Sequence, residues 1–320
     1  MSRPVLWITR KLSDATEQRA ARDYEVILNP EDRVYQADEI VAMSAKVDAI
    51  LPCHSEVFSK DVAGRLSDRV RIIANHSVGV DHCDLPALQA RGIVVTNTPD
   101  VLSDATAEIA LLLMLGAARR ASEGDRLVRE GRWVSWSPSF MVGRQTTGKK
   151  LGIVGMGRVG LAVRRIVSGL GMEVHYSNRR RLPPETEQGA VYHDSVDDLL
   201  GAVDVVSLNC PSTPDTLNLM DARRIGLMRP GAILVNTARG NLIDEAALAE
   251  ALRTRHLFAA GLDVFKTEPS GNAELALLDN VFVLPHIGSA TRETRDAMGF
   301  RALDNLDAFF AGREPRDRLV

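Results

Sequence analysis

The sequence contains few cysteines and no apolar segment long enough to cross a bilayer. Its three cysteines, Cys53, Cys83 and Cys210, lie far apart in a chain of 320 residues. This pattern is typical of reduced thiols in a cytoplasmic protein and not of a disulfide framework or a zinc site. The longest apolar run, residues 109–118, is shorter than a membrane helix, and the first residues lack the apolar core of a secretory signal. We therefore expect a cytoplasmic protein with no metal and no membrane partner.

Net charge is also low. The formal net charge is -3, and so weak a field argues against a nucleic-acid partner. The apolar content of 45% and the charged content of 25% are ordinary for a globular protein. Because 320 residues exceed what one hydrophobic core usually holds, the length favours two domains.

Short apolar segments alternate with helical segments through both halves of the chain. We predict strands at residues 5–8, 25–28, 48–50, 70–74, 93–96, 151–155, 172–178, 203–209, 232–237, 258–264 and 281–286. The strands of the second half are almost continuously apolar, as in a sheet covered on both faces. The alternation predicts an α/β protein of two Rossmann-like or flavodoxin-like domains, with parallel sheets and a cleft between them.

The predicted domains share the chain unequally. We expect residues 100–288 to form one domain, and residues 1–99 with 289–320 to form the other. A long helical stretch is predicted from near Val101 to residue 131, and its first half is apolar nearly all round. Such a helix must be covered completely, by a domain or by a second subunit. Together with the tryptophan-containing segment 133–140, it predicts a homodimer that pairs through the domains formed by residues 100–288.

A glycine-rich turn follows the first strand of the second half. In LGIVGMGRVG, the first glycine permits a tight turn, the second lets the backbone approach a pyrophosphate, and the third lets helix and strand pack closely. The free N–H groups at the start of the helix would bind the diphosphate. The alternative is a plain tight turn between strand and helix. The predicted cofactor-binding residues here are Gly155, Met156, Gly157, Arg158, Val159 and Gly160.

The end of the next strand suggests which dinucleotide is bound. A site specific for NAD usually has an acidic residue here, which accepts hydrogen bonds from the ribose 2′-OH. This chain has Asn178, followed by Arg179 and Arg180, and guanidinium groups match a 2′-phosphate in charge and geometry. The sequence therefore favours NADP, with NAD possible. A solvated basic loop is the alternative.

Three strand ends of the second half supply an arginine, a glutamate and a histidine. These are Arg239, Glu268 and His286, and strand ends of a doubly wound sheet open onto the ligand crevice. A guanidinium can hold the carboxylate and polarise the ketone of a 2-keto acid, and a histidine can protonate the alkoxide that hydride addition forms. A carboxylate beside the histidine holds its tautomer and stabilises its protonated form. The alternatives are a surface arginine, a loop carboxylate and a core histidine.

At these segments the chain resembles a known family. It is similar to the D-isomer-specific 2-hydroxyacid dehydrogenases, and most to their glyoxylate/hydroxypyruvate reductase (2-ketogluconate reductase) branch. The resemblance extends from about residue 70 to residue 300, and residues 1–65 share only the alternation. It is carried by SVGVDHCDLPALQARGIVVTNTP, LGIVGMGRVG, VNTARGNLIDEAAL, AAGLDVFKTEP and LPHIGSAT.

The resemblance implies a role for each matching residue. Arg239 would bind the carboxylate and keto oxygen of the substrate, His286 would be the acid/base, and Glu268 would pair with it. Backbone N–H groups at Val78 and Gly79 would hold the carboxylate from the other domain. Residues 1–99 with 289–320 would therefore form the substrate domain, and residues 100–288 the dinucleotide-binding domain. The remaining residues predicted to contact the cofactor are Cys210, Pro211, Thr237, Ala238, Asp263 and Gly288.

The function expected from the resemblance is NAD(P)H-dependent reduction of small 2-keto acids to D-2-hydroxy acids, with glyoxylate and hydroxypyruvate as candidate substrates and 2-ketogluconate as a further one. Two alternatives stay open. The first is another dehydrogenase of the same family, for phosphoglycerate or formate, although we expect no regulatory domain beyond Val320. The second is a nucleotide-sensing corepressor scaffold, which can retain the same three residues.

Overall fold

The computed structural model of the protein describes residues 3–320, and the chain divides into two compact units. Unit 1 takes in the chain up to Leu102 together with Ala290–Val320, and unit 2 is Ser103–Ser289. The sequence analysis placed the domain boundaries after residue 99 and after residue 288. Each unit contains one parallel sheet with helical connections, so the predicted α/β fold with parallel sheets is confirmed.

Unit 1 is built on a sheet with the strand order β2-β1-β3-β4-β5, the order of flavodoxin-like folds. Its strands are β1 (Val5–Ile8), β2 (Glu25–Ile27), β3 (Ala49–Leu51), β4 (Ile72–Ala74) and β5 (Val94–Thr96). Its helices are α1 (Asp14–Asp23), α2 (Ala37–Ser44), α3 (Lys60–Arg65), α4 (Leu85–Ala90) and α13 (Arg292–Phe310). Central strand β1 is covered on both faces, and Leu6, Trp7 and Ile8 are fully buried.

The C-terminal tail of unit 1 is fastened to α13 and to the edge of the sheet. The N–H of Leu319 donates to the carbonyl of Val95 at 2.8 Å. Arg301 on α13 donates two hydrogen bonds to the carboxylate of Asp317, at 2.5 and 2.8 Å. Burial acts to raise the pKa of Asp317, but the hydrogen bonds from Arg301 and Asn305 outweigh it and hold that pKa below its ordinary value. The tail is therefore anchored by a largely buried ion pair.

Unit 2 has the strand order β12-β11-β10-β9-β6-β7-β8, and all its strands are parallel. This is the Rossmann order extended by one strand. Its strands are β6 (Lys150–Val154), β7 (Glu173–Ser177), β8 (Val191–Tyr192), β9 (Val205–Leu208), β10 (Ala232–Asn236), β11 (Leu257–Leu262) and β12 (Val281–Val283). The sequence-based prediction missed β8, because two residues are too few to show a strand period.

The helices of unit 2 cover both faces of this sheet. They are α5 (Ser103–Ala118), α6 (Ala121–Arg129), α7 (Arg158–Ser168), α8 (Pro184–Glu187), α9 (Val196–Ala202), α10 (Ala222–Leu227), α11 (Glu245–Arg253) and α12 (Ala273–Ala276). Within residues 3–320, no helix combines the length and the apolar content that crossing a membrane requires.

The single long helix predicted from near Val101 to residue 131 is wrong, because the structure breaks it into α5 and α6. Arg120 adopts the left-handed conformation, with φ 56°, and its guanidinium binds Glu123. The carbonyl of Ala118 is taken by the N–H of Arg144, at 2.8 Å. A residue from a later segment therefore caps α5, and the two residues between the helices, Arg119 and Arg120, are neither glycine nor proline.

Unit 2 covers part of the apolar surface of α5. The helix packs on β10, β11 and α7, and side chains such as Leu113 and Met114 are buried there. Leu112, in contrast, is 45% exposed. Unit 2 by itself therefore leaves part of this helix uncovered.

Candidate active site

The parallel strands of unit 2 deliver their following loops to one edge of its sheet. The glycine-rich turn lies where β6 adjoins β9, at the switch point of the strand order. Gly155 has φ +89°, and a Cβ on it would lie 2.7 Å from the backbone of Cys210. The turn thus needs glycine both for its backbone conformation and for its close contact with the segment after β9.

The start of α7 is suited to an anionic ligand. Gly157 is the N-cap residue, no side chain caps the helix, and a Cβ at Gly157 would meet no atom within 4 Å. The first N–H groups of the helix belong to Arg158, Val159 and Gly160, and an N-terminus of this kind favours phosphate. Space and donors at this turn therefore fit the diphosphate of a dinucleotide.

Asn178 is turned toward the glycine-rich turn. Its side-chain oxygen accepts a hydrogen bond from the N–H of Met156 at 2.6 Å, and its amide nitrogen donates to the Met156 carbonyl at 3.4 Å. Met156 is itself fully buried. The side chain at the predicted ribose position therefore also fixes the turn after β6, a contact that the sequence pattern did not indicate.

The three arginines after Asn178 have different surroundings. Arg181 binds the carboxylate of Glu187 through two hydrogen bonds, at 2.7 and 3.0 Å. Arg179 and Arg180 are exposed, and neither side chain has a hydrogen bond or ion pair with a described residue. Two guanidinium groups are therefore available to a ligand beside the ribose position, and the third is occupied.

Arg239 follows β10 in a segment that a buried asparagine organises. The side chain of Asn236 donates to the carbonyl of Arg239 at 2.8 Å and accepts from the N–H of Ala238 at 2.9 Å. Arg239 itself donates to the Ala238 carbonyl at 2.8 Å. The sequence analysis did not identify Asn236 as a functional residue, because its contacts are with its own loop and it has no special spacing.

Gly240 makes the closest approach of this segment to another loop. A Cβ placed on Gly240 would lie 1.8 Å from the carbonyl carbon of Phe265 and 2.2 Å from its oxygen. No side chain fits between these two backbones. The loop that carries Arg239 is therefore pressed against the loop that leads to Glu268.

Glu268 and His286 form a pair. Nδ1 of His286 lies 2.6 Å from Oε2 of Glu268, and both side chains are about one-third exposed. The other carboxylate oxygen of Glu268 accepts from the N–H of Phe265 at 2.9 Å. Since Glu268 holds Nδ1, the ring is oriented so that Nε2 is the nitrogen presented for proton transfer.

Asp263 holds the backbone around this histidine. His286 has φ 55°, in the left-handed region that few non-glycine residues adopt. Its N–H donates to the Asp263 carbonyl at 2.7 Å, while the Asp263 carboxylate accepts from the N–H groups of Ile287 and Gly288, both at 2.8 Å. Burial raises the pKa of Asp263, and these N–H groups and the nearby His286 oppose the rise. Asp263 therefore fixes the segment that presents His286.

The other residues predicted to contact the cofactor lie after β9 and β10. Burial raises the pKa of the Cys210 thiol to about 11, so this thiol stays protonated near neutral pH and is no nucleophile. Pro211 directs its carbonyl to Thr216. The buried hydroxyl of Thr237 has no hydrogen-bond partner among the residues described. An unpartnered hydroxyl at a strand end is suited to contact a ligand.

Val78 and Gly79 lie in unit 1, in the loop after β4. In this 77–79 loop (residues 77–79), all three carbonyls accept a hydrogen bond. The N–H of Thr98 donates to the Ser77 carbonyl at 2.9 Å, and the side chain of Asn97 donates to the Val78 carbonyl at 2.9 Å. The Ser77 hydroxyl donates to the Gly79 carbonyl at 2.8 Å. The N–H groups of Val78 and Gly79 have no acceptor within residues 3–320. They can therefore donate to an anionic ligand.

The loop around Glu268 is ordered by Glu245. The first residue of α11, Glu245 accepts from the N–H of Lys266 at 2.8 Å and from the side chain of Asn272 at 2.7 Å. Asn272 in turn caps α12. The sequence analysis did not identify this contact between α11 and the loop.

Comparison with known proteins agrees with this geometry. Residues 111–288 match the family model of the D-isomer specific 2-hydroxyacid dehydrogenase NAD binding domain. The chain belongs to the D-isomer specific 2-hydroxyacid dehydrogenase family. It is 40% identical to a glycerate dehydrogenase of Hyphomicrobium methylovorum over 98% of both chains. It is also 40% identical to a glyoxylate reductase of Pyrococcus furiosus, over 98% of this chain and 94% of that one.

A solved structure extends the comparison. The fold matches that of an NADPH-dependent glyoxylate/hydroxypyruvate reductase from Sinorhizobium meliloti, solved in complex with NADP and malonate. The TM-score is 0.88 and the identity 32%, covering 100% of this chain and 97% of that one. The protein is thus an oxidoreductase of the 2-hydroxyacid dehydrogenase type.

The contact between Gly240 and Phe265 generates a stability prediction. Gly240→Ala should lower the free energy of unfolding by about 3 kcal/mol or more, because the added methyl group overlaps backbone that cannot move independently. Urea unfolding followed by circular dichroism measures this change.

Gly226→Ala is the matched control, because a Cβ at Gly226 in α10 meets no atom within 4 Å. That variant should be as stable as the unmodified protein or more stable, by roughly 0.5–1 kcal/mol. Equal stability of both variants would show that the two loops are not in close contact.

Proposed function

We propose that this protein reduces small 2-keto acids, glyoxylate and hydroxypyruvate first among them, to D-2-hydroxy acids with NADPH. The observation that carries the proposal is the Glu268–His286 pair, 2.6 Å apart, at the same sheet edge as Arg239. Relatives that share about two-fifths of its sequence are named for glyoxylate and glycerate, and glycerate is the reduced form of hydroxypyruvate. A larger keto acid such as 2-ketogluconate is a further candidate.

Each of the three side chains has a chemical task in this reaction. Arg239 binds the carboxylate and polarises the keto oxygen through charge-assisted hydrogen bonds. A nicotinamide cofactor held by the glycine-rich turn and the start of α7 would supply the hydride for the keto carbon. As the electrons of the C=O double bond move to oxygen, Nε2 of His286 transfers its proton to that oxygen. Glu268 keeps the ring oriented and stabilises the imidazolium before the transfer.

Each unit by itself contains groups suited to one kind of ligand. In unit 1, the unpartnered N–H groups of Val78 and Gly79 support binding of the substrate carboxylate. In unit 2, the glycine-rich turn and α7 support binding of the dinucleotide diphosphate. We propose accordingly that unit 1 is the substrate domain and unit 2 the cofactor domain. Three free thiols favour a cytoplasmic location.

NADPH is the proposed cofactor because no carboxylate lies at position 178 and two exposed arginines follow it. A phosphate beside two guanidinium groups gains charge-assisted hydrogen bonds, whereas an aspartate there would repel it. The NADPH-dependent relative from Sinorhizobium meliloti supports the same assignment. NAD remains the alternative if Arg179 and Arg180 only contact solvent.

Loss of the proton donor tests the proposed reaction. His286→Asn should lower kcat for glyoxylate or hydroxypyruvate by on the order of 10²-fold or more, because a general acid acts in the transition state. The dissociation constant of NADPH should change little. Glu268→Gln keeps the shape of its side chain but removes its charge, so it should lower kcat by a smaller factor.

The unmodified protein serves as the comparison in a spectrophotometric assay of NADPH consumption. His256→Asn is a matched control, since His256 lies before β11 and bonds to the carbonyl of Ile225. Near-normal turnover in His286→Asn would remove this residue from its role. No turnover of any keto acid by the unmodified protein would favour a corepressor scaffold, and turnover of formate or phosphoglycerate alone would favour the other dehydrogenases.

Cofactor preference forms a separate prediction. The unmodified protein should prefer NADPH to NADH by about ten- to a thousandfold in kcat/KM, and the preference should shrink as salt rises. Asn178→Asp should reverse part of this preference, because its oxygen can still accept the Met156 N–H while its charge repels a 2′-phosphate.

Arg179→Ala and Arg181→Ala form the matched pair for this prediction. Both remove one positive charge, but Arg181 is held by Glu187. Only Arg179→Ala should therefore raise the KM for NADPH without changing that for NADH. Equal efficiency with the two cofactors in the unmodified protein would reassign the site to NAD.

We also propose a homodimer with two-fold symmetry, formed through unit 2. The segment after α6 exposes large apolar side chains, including Trp133, Val134 and Trp136, and Val134 is 90% exposed. Several such side chains in one segment are typical of an interaction surface.

Sedimentation equilibrium at micromolar concentration should give twice the chain mass. Trp136→Glu should shift the protein toward monomer, whereas Leu277→Glu, at an isolated exposed leucine, should not. A monomeric unmodified protein would contradict the proposal.

A further inference from the structure

The orientation of the 77–79 loop is set by side chains outside it. A peptide group is planar and its C=O and N–H point in opposite directions when it is trans. The carbonyl of Val78 and the N–H of Gly79 belong to the same peptide group. The hydrogen bond from the Asn97 side chain to the Val78 carbonyl, at 2.9 Å, therefore sets the direction of the Gly79 N–H.

The neighbouring peptide group is held from the same segment. The N–H of Thr98 donates to the carbonyl of Ser77 at 2.9 Å, and this peptide group carries the N–H of Val78. Thr98 acts through its backbone, which any residue type supplies. Asn97 acts through its side-chain amide, so the orientation of the Gly79 N–H depends on the residue type at position 97.

Asn97 is itself fixed by α13 and the C-terminal tail. Its carbonyl accepts from the side chain of Asn305 at 3.3 Å, and its N–H donates to the carbonyl of Asp317 at 3.3 Å. Asn305 is 1% exposed and exchanges two hydrogen bonds with Asp317, at 3.0 and 3.1 Å. Arg301 holds the carboxylate of Asp317. The loop is thus connected to α13 by a continuous series of buried and half-buried polar contacts.

We propose that Asn97 is a positioning residue for the substrate carboxylate, and that Asn305 acts through it. The inference rests on the proposed function, in which the N–H groups of Val78 and Gly79 bind that carboxylate. Asn97 does not touch the substrate. It aims one of the two N–H donors at the carboxylate, and a misdirected donor weakens binding steeply because hydrogen bonds depend on angle.

Substitution of Asn97 should therefore affect substrate affinity before it affects the chemical step. In Asn97→Ala, the KM for glyoxylate and the dissociation constant of oxamate, an unreactive carboxylate analogue, should each rise about tenfold. The dissociation constant of NADPH should stay within about twofold, and kcat should fall less than KM rises. Asn97→Asp should have a larger effect, because its carboxylate would face the Val78 carbonyl.

Arg91→Ala is the matched control for a merely structural role. Arg91 donates to the carbonyls of Ala63, Gly64 and Leu66, which precede β4 and so lie at the opposite edge of the same sheet. Its loss should lower the unfolding midpoint without changing the KM for glyoxylate or the oxamate affinity. The two variants thus separate destabilisation of unit 1 from misalignment of the loop.

Asn305→Ala tests whether Asn305 acts through Asn97. It also replaces Asn97→Ala as the test if that variant does not fold. It should shift the oxamate dissociation constant in the same direction by a smaller factor. The double variant Asn97→Ala/Asn305→Ala should bind oxamate no more weakly than Asn97→Ala alone, because Asn305 acts only through Asn97.

The outcomes distinguish this inference from the function on which it rests. Unchanged KM and oxamate affinity in both Asn97→Asp and Asn305→Ala, with His286→Asn inactive, would overturn the role of Asn97 and leave the function standing. An unmodified protein that turns over no 2-keto acid would overturn both.

Discussion

The direction of the strands in unit 2 is the constraint on which the candidate active site depends. Since all the strands of this sheet are parallel, each one releases its following loop at the same edge. The glycine-rich turn after β6, Arg239 after β10 and His286 after β12 therefore share one edge although they are far apart in sequence. Parallel strands need a covered crossover between each pair, so the apolar helices that bury the sheet are also what bring the chemical groups together.

Contacts between neighbouring loops then set the finer geometry. Gly240 lets the Arg239 loop press against Phe265, and Phe265 donates its N–H to Glu268. Asp263 binds the two N–H groups that follow His286. Burial of this carboxylate costs free energy, as the raised pKa of Asp263 shows. The hydrogen bonds that it accepts offset part of that cost and hold a histidine in a backbone conformation that is unfavourable by itself.

Both units use asparagine side chains to shape a loop that follows a strand. Asn236 binds the N–H and carbonyl groups of the Arg239 segment, and Asn97 binds a carbonyl of the 77–79 loop. A side-chain amide has both donors and acceptors, so it can satisfy backbone groups that have lost their partners at the end of a sheet. Removing either side chain would leave buried polar groups unpaired, which makes the loop geometry specific as well as stable.

The sequence by itself determined every strand except β8, the two parallel sheets and the loops that carry Arg239, Glu268 and His286. Apolar periodicity and glycine spacing are local properties, and local properties can be read along the chain. Only the tertiary structure decided that α5 ends at Ala118, that Asn178 turns toward Met156, and that Asn97 and Asn236 shape functional loops. Each of the first three depends on a hydrogen bond to a residue distant in sequence. Asn236 binds nearby residues, but its loop also packs closely against the backbone of Phe265 at Gly240, which is distant in sequence. Such contacts leave no periodic signal, because the partner is chosen by the packing of the folded chain.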